Sequence, residues 1–470
     1  MTKKVQLVVI GAGPGGYAAA FLAADLGMDV VLVDKEPNPG GVCLYRGCIP
    51  SKALLHVAKL MSEVEDAKKM GVDYPEPSID RDKLRSWKTS VVDRLTGGLG
   101  QLSKRRNIRY VRGTATFRDG HSIEIAKSDG SNETITFEHA IIATGSRPSV
   151  VPALDLKSPR VLDSTSALDL ESIPETLLVV GGGYIGLELG SVYAALGSKV
   201  SVVEMLPGIL PGADRDMVNV LKKRLEQKFE AIMTNTTVAS MAERDEKITV
   251  TFDGDNTGDA RFDKVLVSIG RKPNTEDIGL ETTKVKVGQR GFIDVDAQLR
   301  TNEPAVFAIG DVVGEPMLAH KASHEGRTAV EVIAGHKVAF EPQAIPAVIF
   351  TDPEIAWAGL TQSEAKEKGI DVEVAKFPWA ASGRALTLER TDGMTKLLIE
   401  PKSNRLLGVA VVGAGAGELI AEGVLAIEMG ANATDLKLTI HPHPTLSETL
   451  MEAAEVFFGQ STHVHRPRRK

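Results

Sequence analysis

Two cysteines and a short turn between them are the first residues in this sequence that could perform chemistry. Cys43 and Cys48 are the only cysteines among 470 residues, and four residues separate them. Two thiols this close can form a disulfide if the fold brings their Cα atoms within about 7 Å, and Gly47 eases such a turn. Closing so short a loop stabilises a fold by only about 2 kcal/mol. The pair by itself leaves open a redox disulfide, two ordinary buried thiols, or half of a zinc site, although a zinc site needs more ligands.

A histidine and a glutamate near the end of the chain form the second candidate group. Thr445-Leu-Ser-Glu448 fits a capping box at a helix start, so Glu448 has a structural interpretation. His443 stands just before this box. An imidazole in that place is a plausible general acid or base if a carboxylate orients it. Both interpretations stay open from these residues alone.

The element that must position the cysteines is a nucleotide-binding βαβ unit at the start of the chain. An apolar strand over Gln6–Ile10 leads into Gly11-Ala-Gly-Pro-Gly-Gly16, a helix over Tyr17–Leu26, and a strand over Val30–Val33 that ends in Asp34. Glycines let a pyrophosphate approach the helix N-terminus, and the acid accepts a hydrogen bond from a ribose hydroxyl. The cysteine segment begins seven residues after Asp34, so we expect it on top of this nucleotide site.

The same pattern recurs in the middle of the chain. A strand over Leu177–Val180 precedes Gly181-Gly-Gly-Tyr-Ile-Gly186 and a helix through Leu196, and the strand Lys199–Val203 ends in Glu204. Two such units predict two bound dinucleotides. A carboxylate at the second acid repels a ribose 2′-phosphate, which favours NAD over NADP.

The remaining segments predict further helices and strands around these two units. Residues 52–105 indicate two long helices, the second ending at Thr96-Gly-Gly98, and alternation from Ile108 to Phe137 indicates a small antiparallel sheet. The other predicted elements are strands at Ala140–Ala143, Lys264–Ile269, Val306–Ile309, Val348–Phe350, Val372–Phe377, Thr395–Ile399 and Gly408–Val412, and helices at Leu318–Ile333, Ser363–Lys368 and Gly417–Met429. Asp311, after one of these strands, could reach a ribityl or ribose hydroxyl, or could belong to a surface turn.

Composition limits the class of protein. The length predicts about three domains, with four not excluded, and a net charge of −7 gives no reason to expect nucleic-acid binding. No apolar run reaches the roughly 18 residues of a membrane span, and Val5–Ile10 is too short for a signal peptide core. We therefore expect a cytoplasmic protein. The basic tail from His463 to Lys470 indicates a solvated, disordered end, with a docking peptide as the alternative.

Together these motifs resemble the dihydrolipoamide dehydrogenase family, among the class I pyridine nucleotide-disulfide oxidoreductases. The resemblance runs along essentially the whole chain, through Gly11–Gly16, Gly41–Lys52, Ala-Thr-Gly-Ser at 143–146, Gly181–Gly186, Ala-Ile-Gly-Asp at 308–311, Leu-Ala-His-Lys-Ala at 318–322 and the His-x-His-Pro-Thr-Leu-x-Glu ending. Glutathione, trypanothione and mercuric reductases share the cysteine spacing. The His-x-His-Pro ending and the acidic second nucleotide site are similar to the lipoamide branch.

The resemblance implies a fold and a reaction. It implies an α/β protein with two Rossmann-like domains, at about 1–150 for FAD and 151–275 for NAD, a central domain at 276–345 and an α+β interface domain at 346–470. It implies oxidation of protein-bound dihydrolipoamide, with electrons passing through the cysteine pair and FAD to NAD⁺. The implied partners are a second copy of the chain, with active sites shared between subunits, and the lipoyl and peripheral-subunit-binding domains of an acyltransferase in a 2-oxo acid dehydrogenase or glycine cleavage complex.

The resemblance also implies roles for individual residues. Cys43 is the interchange thiol and Cys48 the thiol facing the flavin, while His443, oriented by Glu448, takes the substrate proton. Lys52 and Glu188 form an ion pair beside the flavin. The implied FAD contacts are Gly11, Gly13, Gly16, Asp34, Lys52, Ala115, Asp311 and Ala319, with Thr144 and Gly145 as further cofactor contacts. The implied NAD contacts are Gly181, Gly183, Gly186, Glu204, Val238 and Gly270.

The chain departs from the family pattern between the cysteines. The family commonly has Leu-Asn-Val-Gly there, and this chain has Leu-Tyr-Arg-Gly. A cation at Arg46 could lower the pKa of a thiol or point to solvent, and we expect it to point to solvent. Two other functions stay open: a different disulfide reductase that uses NADH, or a non-catalytic flavoprotein scaffold, although intact Cys43, Cys48 and His443 argue against a scaffold.

Overall fold

The structure is a computed structural model that describes residues 3–465. Residues 466–470, the last five of the basic tail, lie outside this range. The prediction of a disordered tail therefore falls mostly on residues that the structure does not describe. Within residues 3–465, no helix is both long enough and apolar enough to cross a membrane.

The described residues form helices and strands in a mixed order along the chain. The α-helices are α1 Pro14–Asp25, α2 Gly41–Arg46, α3 Cys48–Ala67, α4 Arg81–Arg105, α5 Tyr184–Ala195, α6 Arg215–Lys228, α7 Ala319–Ile333, α8 Gln362–Lys368, α9 Gly383–Thr387, α10 Ala416–Glu428, α11 Ala433–Leu438 and α12 Glu448–Phe458. The first eleven strands are β1 Lys3–Ile10, β2 Val30–Asp34, β3 Arg109–Asp119, β4 Ser122–Lys127, β5 Asn132–Ile142, β6 Ser146–Pro148, β7 Val161–Leu162, β8 Thr176–Val180, β9 Lys199–Val203, β10 Ala231–Met233 and β11 Thr236–Arg244. The others are β12 Lys247–Gly254, β13 Gly258–Phe262, β14 Lys264–Val267, β15 Arg271–Pro273, β16 Val306–Ala308, β17 Ala347–Ile349, β18 Glu354–Gly359, β19 Glu373–Pro378, β20 Met394–Ile399 and β21 Leu406–Gly413.

The described chain divides into two compact units, and the first contains residues up to 53, 80–149 and 270–341. Its main sheet has six strands, in which β1 lies parallel to both β2 and β5, β2 lies parallel to β3, and β16 lies parallel to the end of β5. Strands β3, β4 and β5 continue as antiparallel hairpins. Alternate residues of β1 enter different cores: Val8 packs with the hairpin strands, and Val9 packs with α1 and α7. A strand buried on both faces explains the unbroken apolar run that begins the sequence.

The second unit contains residues 54–79, 150–269 and the described residues from 342 onward. A five-stranded parallel sheet runs in the order β10-β9-β8-β14-β7. A three-stranded antiparallel sheet, β11-β12-β13, packs its apolar face against it through Val250 and Val265. The last part of the chain builds a five-stranded antiparallel sheet, β17-β18-β21-β20-β19, which packs on α10 and α12. The unit therefore combines a Rossmann-like layer with an α+β layer.

Two predicted element boundaries were wrong, and one sheet was missed. Helix α4 continues through Gly97 and Gly98 to Arg105, because the burial of its Val92, Thr96, Gly100 face outweighs the roughly 1 kcal/mol that each glycine costs a helix. The segment at 140–143 is the end of the long strand β5 rather than a separate strand. The sheet β11-β12-β13 was not predicted at all, although Gly254-Asp-Asn-Thr-Gly258, which connects β12 to β13, has the glycine and asparagine residues typical of a hairpin turn.

A buried ionic network joins the two layers of the second unit. Lys396 on β20 is fully buried, and its Nζ donates to Asp214 at 2.6 Å and to Asp216 at 2.7 Å. Asp214 also accepts from the backbone N–H groups of Gln362 and Ser363. Burial favours the neutral acid, yet the Lys396 ammonium and these N–H groups hold the pKa of Asp214 below its usual value. Asp214 is therefore an ionised carboxylate with most of its acceptor positions in use.

We expect Lys396→Met to lower the free energy of unfolding by about 3 kcal/mol at pH 7, because it leaves the buried carboxylate of Asp214 without its cation, whereas Asp216 keeps its ion pair with Lys376. A pKa held below the unfolded value of about 3.9 stabilises the fold above that pH, and this stabilisation is lost on acidification. The difference between wild type and variant should therefore shrink as the pH falls below about 4. Urea unfolding at both pH values measures it. Lys368→Met, which removes an exposed 4.0 Å ion pair with Glu364, is the control and should cost less than about 1 kcal/mol. Equal losses in the two variants would contradict the prediction.

Candidate active site

The first glycine loop is packed tightly everywhere except at Gly13. Gly11 has φ +100°, and a Cβ there would lie 2.2 Å from the carbonyl oxygen of Ala143; a Cβ on Gly16 would lie 1.8 Å from the oxygen of Gly11. Gly13 has no neighbour within 4 Å of an added Cβ. Gly13 is also the N-cap of α1, and no side chain caps the helix there. The N-terminus of α1 thus has neither a capping side chain nor a side chain at Gly13, which fits a pyrophosphate bound to its first N–H groups.

Asp34, at the end of β2, holds this loop in place. Its Oδ2 accepts from the N–H of Ala12 at 2.6 Å, and its Oδ1 accepts from the N–H of Glu36 at 3.0 Å. Burial raises the pKa of Asp34, while the N–H groups of Ala12 and Lys35 and the charge of Arg46 oppose the rise. Each carboxylate oxygen keeps a second lone pair, so a ribose hydroxyl can still bind.

The second glycine loop repeats the arrangement. Gly181 has φ +105°, and a Cβ there would lie 2.6 Å from the carbonyl oxygen of Ser268. A Cβ on Gly183 would have no neighbour within 4 Å. A Cβ on Gly186 would meet the oxygen of Gly181 at 2.4 Å. Glu204 is 8% exposed, and it accepts from the N–H of Gly182 at 2.7 Å and from the N–H of Leu206 at 2.8 Å. Two cradles of the same construction fit two dinucleotides.

The cysteine segment lies directly on the first glycine loop. Gly41, at φ +57°, begins α2, and a Cβ there would lie 2.5 Å from the Cα of Gly13. Cys43 is in α2 and Cys48 is the first residue of α3, with Gly47 between the two helices. The structure therefore brings the thiol pair to the nucleotide loop, as the spacing after Asp34 predicts.

The two sulfurs are thiols that interact with each other. A hydrogen bond with Cys48 raises the pKa of Cys43 far above its usual value, burial adds to the rise, and the charge of Lys52 opposes it. Burial raises the pKa of Tyr17, and the two cysteines add to this rise. Two thiols within hydrogen-bonding distance of each other are placed for closure to a disulfide.

Lys52 and Glu188, the predicted ion pair, lie in different units. Lys52 is in the second turn of α3, four residues after Cys48. Glu188 on α5 is 3% exposed, and its Oε1 accepts from the N–H of Phe350 at 3.0 Å. Their pairing stays a prediction.

Asp311 belongs to a polar network that the sequence analysis missed. It accepts from the hydroxyl of Ser146, whose oxygen accepts from Nε of Arg271 at 2.7 Å. Thr144 donates to the carbonyl of Asn274 at 2.7 Å, and Gly145, at φ +71°, accepts from the N–H of the same residue at 2.9 Å. The similarity between the sequences Thr144-Gly-Ser-Arg-Pro148 and Gly270-Arg-Lys-Pro273 could have revealed this network. These two segments pair as the antiparallel strands β6 and β15.

A buried ion pair supports the backbone next to Asp311. Glu325 on α7 accepts from the N–H of Gly310 at 2.7 Å and pairs with Lys321 at 2.7 Å, with side chains only 3% and 7% exposed. Burial raises the pKa of Glu325, and Lys321 opposes the rise. Ala319, a predicted cofactor contact, is the first residue of this helix. The four-residue spacing of lysine and glutamate was visible in the sequence as a helical ion pair.

His443 and Glu448 meet as predicted, but the capping box is only half formed. Nδ1 of His443 lies 2.9 Å from Oε1 of Glu448, and Oε2 accepts from the N–H of Thr445 at 2.7 Å. The Thr445 hydroxyl donates to the carbonyl of Pro442, and α12 begins only at Glu448. Burial opposes ionisation, yet the Thr445 N–H and His443 hold the pKa of Glu448 below its usual value. The carboxylate occupies Nδ1, so Nε2 is the nitrogen available for proton transfer.

The expectation that Arg46 points to solvent was wrong. Its guanidinium forms an ion pair with Glu36. The partner, Glu36, lies ten residues earlier in the sequence, so it is neither a cysteine nor solvent, the two surroundings expected for Arg46.

The remaining predicted contacts lie on strands or at turns. Ala115 on β3 has its side chain buried in the core of the first unit, so only its backbone is available to a ligand. Val238 on β11 packs against the core of the second unit. Gly270 has φ +116°, and its carbonyl accepts from the N–H of Ser149 in the first unit, at 3.0 Å.

Comparisons with known proteins agree on one group of enzymes. The model of the pyridine nucleotide-disulphide oxidoreductase family matches residues 5–326, and the model of its dimerisation domain matches residues 345–454, which supports a homodimer. A dihydrolipoyl dehydrogenase from Haemophilus influenzae is 51% identical over 98% of this chain and 96% of its own length. A dihydrolipoyl dehydrogenase from Geobacillus stearothermophilus is 47% identical over 98% of both chains.

Solved structures give the same result for the fold. LpdA from Mycobacterium tuberculosis superimposes with a TM-score of 0.90 at 27% identity, over 96% of this chain and 99% of that one. The HOCl-induced flavoprotein disulfide reductase RclA from Escherichia coli superimposes with a TM-score of 0.85 at 29% identity, over 95% of this chain and 98% of that one.

The buried carboxylate at the second loop generates a prediction about nucleotide choice. Glu204→Gln keeps an acceptor for the loop but removes the charge that repels a 2′-phosphate. We expect the ratio of Kd for NADPH to Kd for NADH to fall at least about tenfold, since a desolvated like-charge contact costs several kcal/mol. Calorimetric titration with both nucleotides measures the ratio. Glu226→Gln, an exposed acid on α6, should leave it unchanged, and an unchanged ratio in Glu204→Gln would show that this acid does not select the nucleotide.

Proposed function

Because this chain belongs to the pyridine nucleotide-disulphide oxidoreductase family, we propose that it is a dihydrolipoyl dehydrogenase. It oxidises dihydrolipoamide to lipoamide and transfers the two electrons to NAD⁺. The observation that carries this proposal is the position of the thiol pair, with Gly41 packed on Gly13 of the first nucleotide loop. A disulfide in that place is within reach of both a thiol substrate and a redox cofactor.

In the first half of the reaction, the Cys43–Cys48 disulfide is reduced by the substrate. A substrate thiolate attacks the sulfur of Cys43, the bond to Cys48 breaks, and a mixed disulfide forms. The second substrate thiolate then displaces Cys43, so the substrate leaves with a new S–S bond and the enzyme keeps two thiols. Nε2 of His443 accepts the substrate proton, and Glu448 fixes the tautomer from the other side of the ring.

The first cradle, formed by Gly11, Gly13, Gly16 and Asp34, would hold FAD, and the second would hold NAD⁺. FAD, when bound, supplies a two-electron carrier between the dithiol and NAD⁺, so that one NADH and one proton leave the enzyme. The N–H groups at the start of each helix bind a pyrophosphate, and the acid at the end of each second strand binds a ribose. Ser146 and Glu325 hold Asp311 and Gly310 in position for the FAD site.

Several finer statements belong to the proposal. We infer that Lys52 and Glu188 form an ion pair beside the flavin, and that Ala115, Thr144, Gly145 and Ala319 contact FAD while Val238 and Gly270 contact NAD⁺. The domain boundaries at 150, 275 and 345 are proposed on the resemblance. We also propose that the enzyme is cytoplasmic and that its substrate is the lipoyl domain of an acyltransferase in a 2-oxo acid dehydrogenase or glycine cleavage complex.

We expect Cys43→Ser and Cys48→Ser to retain FAD and to lose at least about 10³-fold of dihydrolipoamide-dependent NAD⁺ reduction, since neither residue contributes to the glycine loop and both are needed for the disulfide. The flavin absorbance of the purified variants measures the first effect, and the rate of NADH formation measures the second. Glutathione disulfide and Hg²⁺ are assayed in parallel with NADH as reductant. Turnover close to wild type in Cys48→Ser would contradict the disulfide relay, and faster turnover of glutathione disulfide or Hg²⁺ than of lipoamide would favour another reductase.

The active site of the proposed homodimer would combine Cys43 of one subunit with His443 of the other. We expect a mixed dimer of a Cys43→Ser chain and a His443→Gln chain to recover about half of wild-type activity, because one of its two sites then has both wild-type groups. Co-expression with two different tags and sequential affinity purification isolates this dimer, and the two parent homodimers are the controls. A mixed dimer as inactive as its parents would mean that each site is built within one chain.

A further inference from the structure

The four residues between the two cysteines, which we call the inter-cysteine turn (residues 44–47), comprise the last turn of α2 and Gly47. They are fastened to the segment that follows Asp34, which we call the anchor segment (residues 35–38). The hydroxyl of Tyr45 donates to the carbonyl of Asn38 at 3.1 Å and accepts from the N–H of Asn38 at 3.2 Å. The guanidinium of Arg46 pairs with the carboxylate of Glu36. Two consecutive side chains of the turn therefore bind two residues of one segment.

The anchor segment is itself held from its other sides. Tyr110 on β3 donates to the carbonyl of Glu36 at 2.9 Å, and Arg112 on the same strand donates to the carbonyl of Lys35 at 3.0 Å. The side chain of Asn38 lies against Gly100 on α4, where an added Cβ would be 2.1 Å from Oδ1. The turn is thus tied to a platform that the sheet and α4 already fix.

The role of these contacts is positional rather than electrostatic. The charge of Lys52 opposes the rise in the pKa of the Cys43 thiol, and the charge of Arg46 opposes the rise in the pKa of Asp34. Arg46 is neutralised by Glu36, and its side chain is 37% exposed. What the two contacts do for the cysteines is to hold the backbone that carries both sulfurs.

We propose that Tyr45 and Arg46 are positioning residues that hold the inter-cysteine turn on the anchor segment and thereby favour the disulfide form of the Cys43–Cys48 pair. This rests on the proposed function, in which the pair opens and closes. Holding two thiols side by side reduces the conformational entropy that is lost when the S–S bond forms. If the turn is released from the anchor segment, its conformational entropy rises more in the dithiol than in the disulfide, because the S–S bond still constrains the disulfide. Release therefore favours the dithiol.

The equilibrium with dithiothreitol measures this effect. One S–S bond of the protein breaks and two S–H bonds form, while the two thiols of dithiothreitol become one cyclic disulfide, so two electrons and two protons are transferred. The purified flavoprotein is equilibrated without oxygen at a series of reduced-to-oxidised dithiothreitol ratios, quenched in acid and alkylated with a maleimide of high mass. The chain contains two cysteines, so every shifted band reports this pair.

Arg46→Val should move the equilibrium about three- to fivefold toward the dithiol, which is about 14–21 mV for a two-electron couple. Glu36→Gln should move it in the same direction by a similar factor, since it breaks the same ion pair from the other side. Tyr45→Phe loses only the hydroxyl and should also favour the dithiol, and it keeps the test informative if Arg46→Val does not fold. Lys35→Ala removes an exposed cation of the anchor segment and is the control that should match wild type.

The two charge variants separate the positional role from an electrostatic one. If Arg46 acted on the thiols through its charge, Glu36→Gln would leave that charge unpaired and would shift the equilibrium in the opposite direction to Arg46→Val. Opposite shifts, or wild-type values in Tyr45→Phe, Arg46→Val and Glu36→Gln alike, would overturn the proposal. A wild-type chain that is fully alkylated at every ratio forms no disulfide and would overturn the proposed function as well, so the two failures are distinguishable.

Discussion

The close approach of Gly41 to Gly13 is the constraint on which the candidate site depends. No side chain fits at Gly41, because an added Cβ there would lie 2.5 Å from the Cα of Gly13. The start of the cysteine-bearing helix therefore rests on bare backbone beside the open end of the nucleotide cradle. Any larger residue there would lift the thiol pair away from the loop. The geometry of a redox site is thus set by two residues that carry no chemistry of their own.

Helix α7 also packs closely against the first glycine loop. Gly326 on α7 packs on the carbonyl of Gly15, and Ser323 donates to the carbonyl of Pro14 at 3.2 Å, so α7 and α1 lie in close contact. The same helix carries Glu325, whose buried carboxylate holds the N–H of Gly310. One helix thus supports both the phosphate-facing loop and the turn that contains Asp311. A buried carboxylate is stable there because Lys321 and a backbone N–H satisfy it.

In both nucleotide loops, the acid at the end of the second strand holds the backbone of the loop in addition to being a candidate ligand for ribose. Asp34 and Glu204 each accept two backbone N–H groups, one from the glycine loop and one from the residue two positions further on. A carboxylate suits this place because it has several acceptor positions, of which ligand binding uses only some. Loss of either acid would therefore disturb the loop as well as the ligand contact, and changes in nucleotide choice are best made with substitutions that keep an acceptor.

The sequence by itself determined the features whose causes lie within a few residues. The strand, glycine loop and helix at 6–26 and again at 177–196 follow from apolar periodicity and from positions where only glycine avoids a clash, and both were predicted close to their observed bounds. Only the tertiary structure decided the contacts whose partners are distant or compete locally. Helix α4 continues through two glycines because one of its faces is buried. The Thr445 hydroxyl donates to the carbonyl of Pro442 and does not cap the helix as predicted. Ser146 hydrogen-bonds to Arg271, which is 125 residues away in the sequence. Glu36 was near in sequence, yet its pairing with Arg46 depends on how β2 and α2 are brought together. Short-range steric rules can be read along a chain, whereas a polar side chain with several possible partners takes the one that the packed fold places within reach.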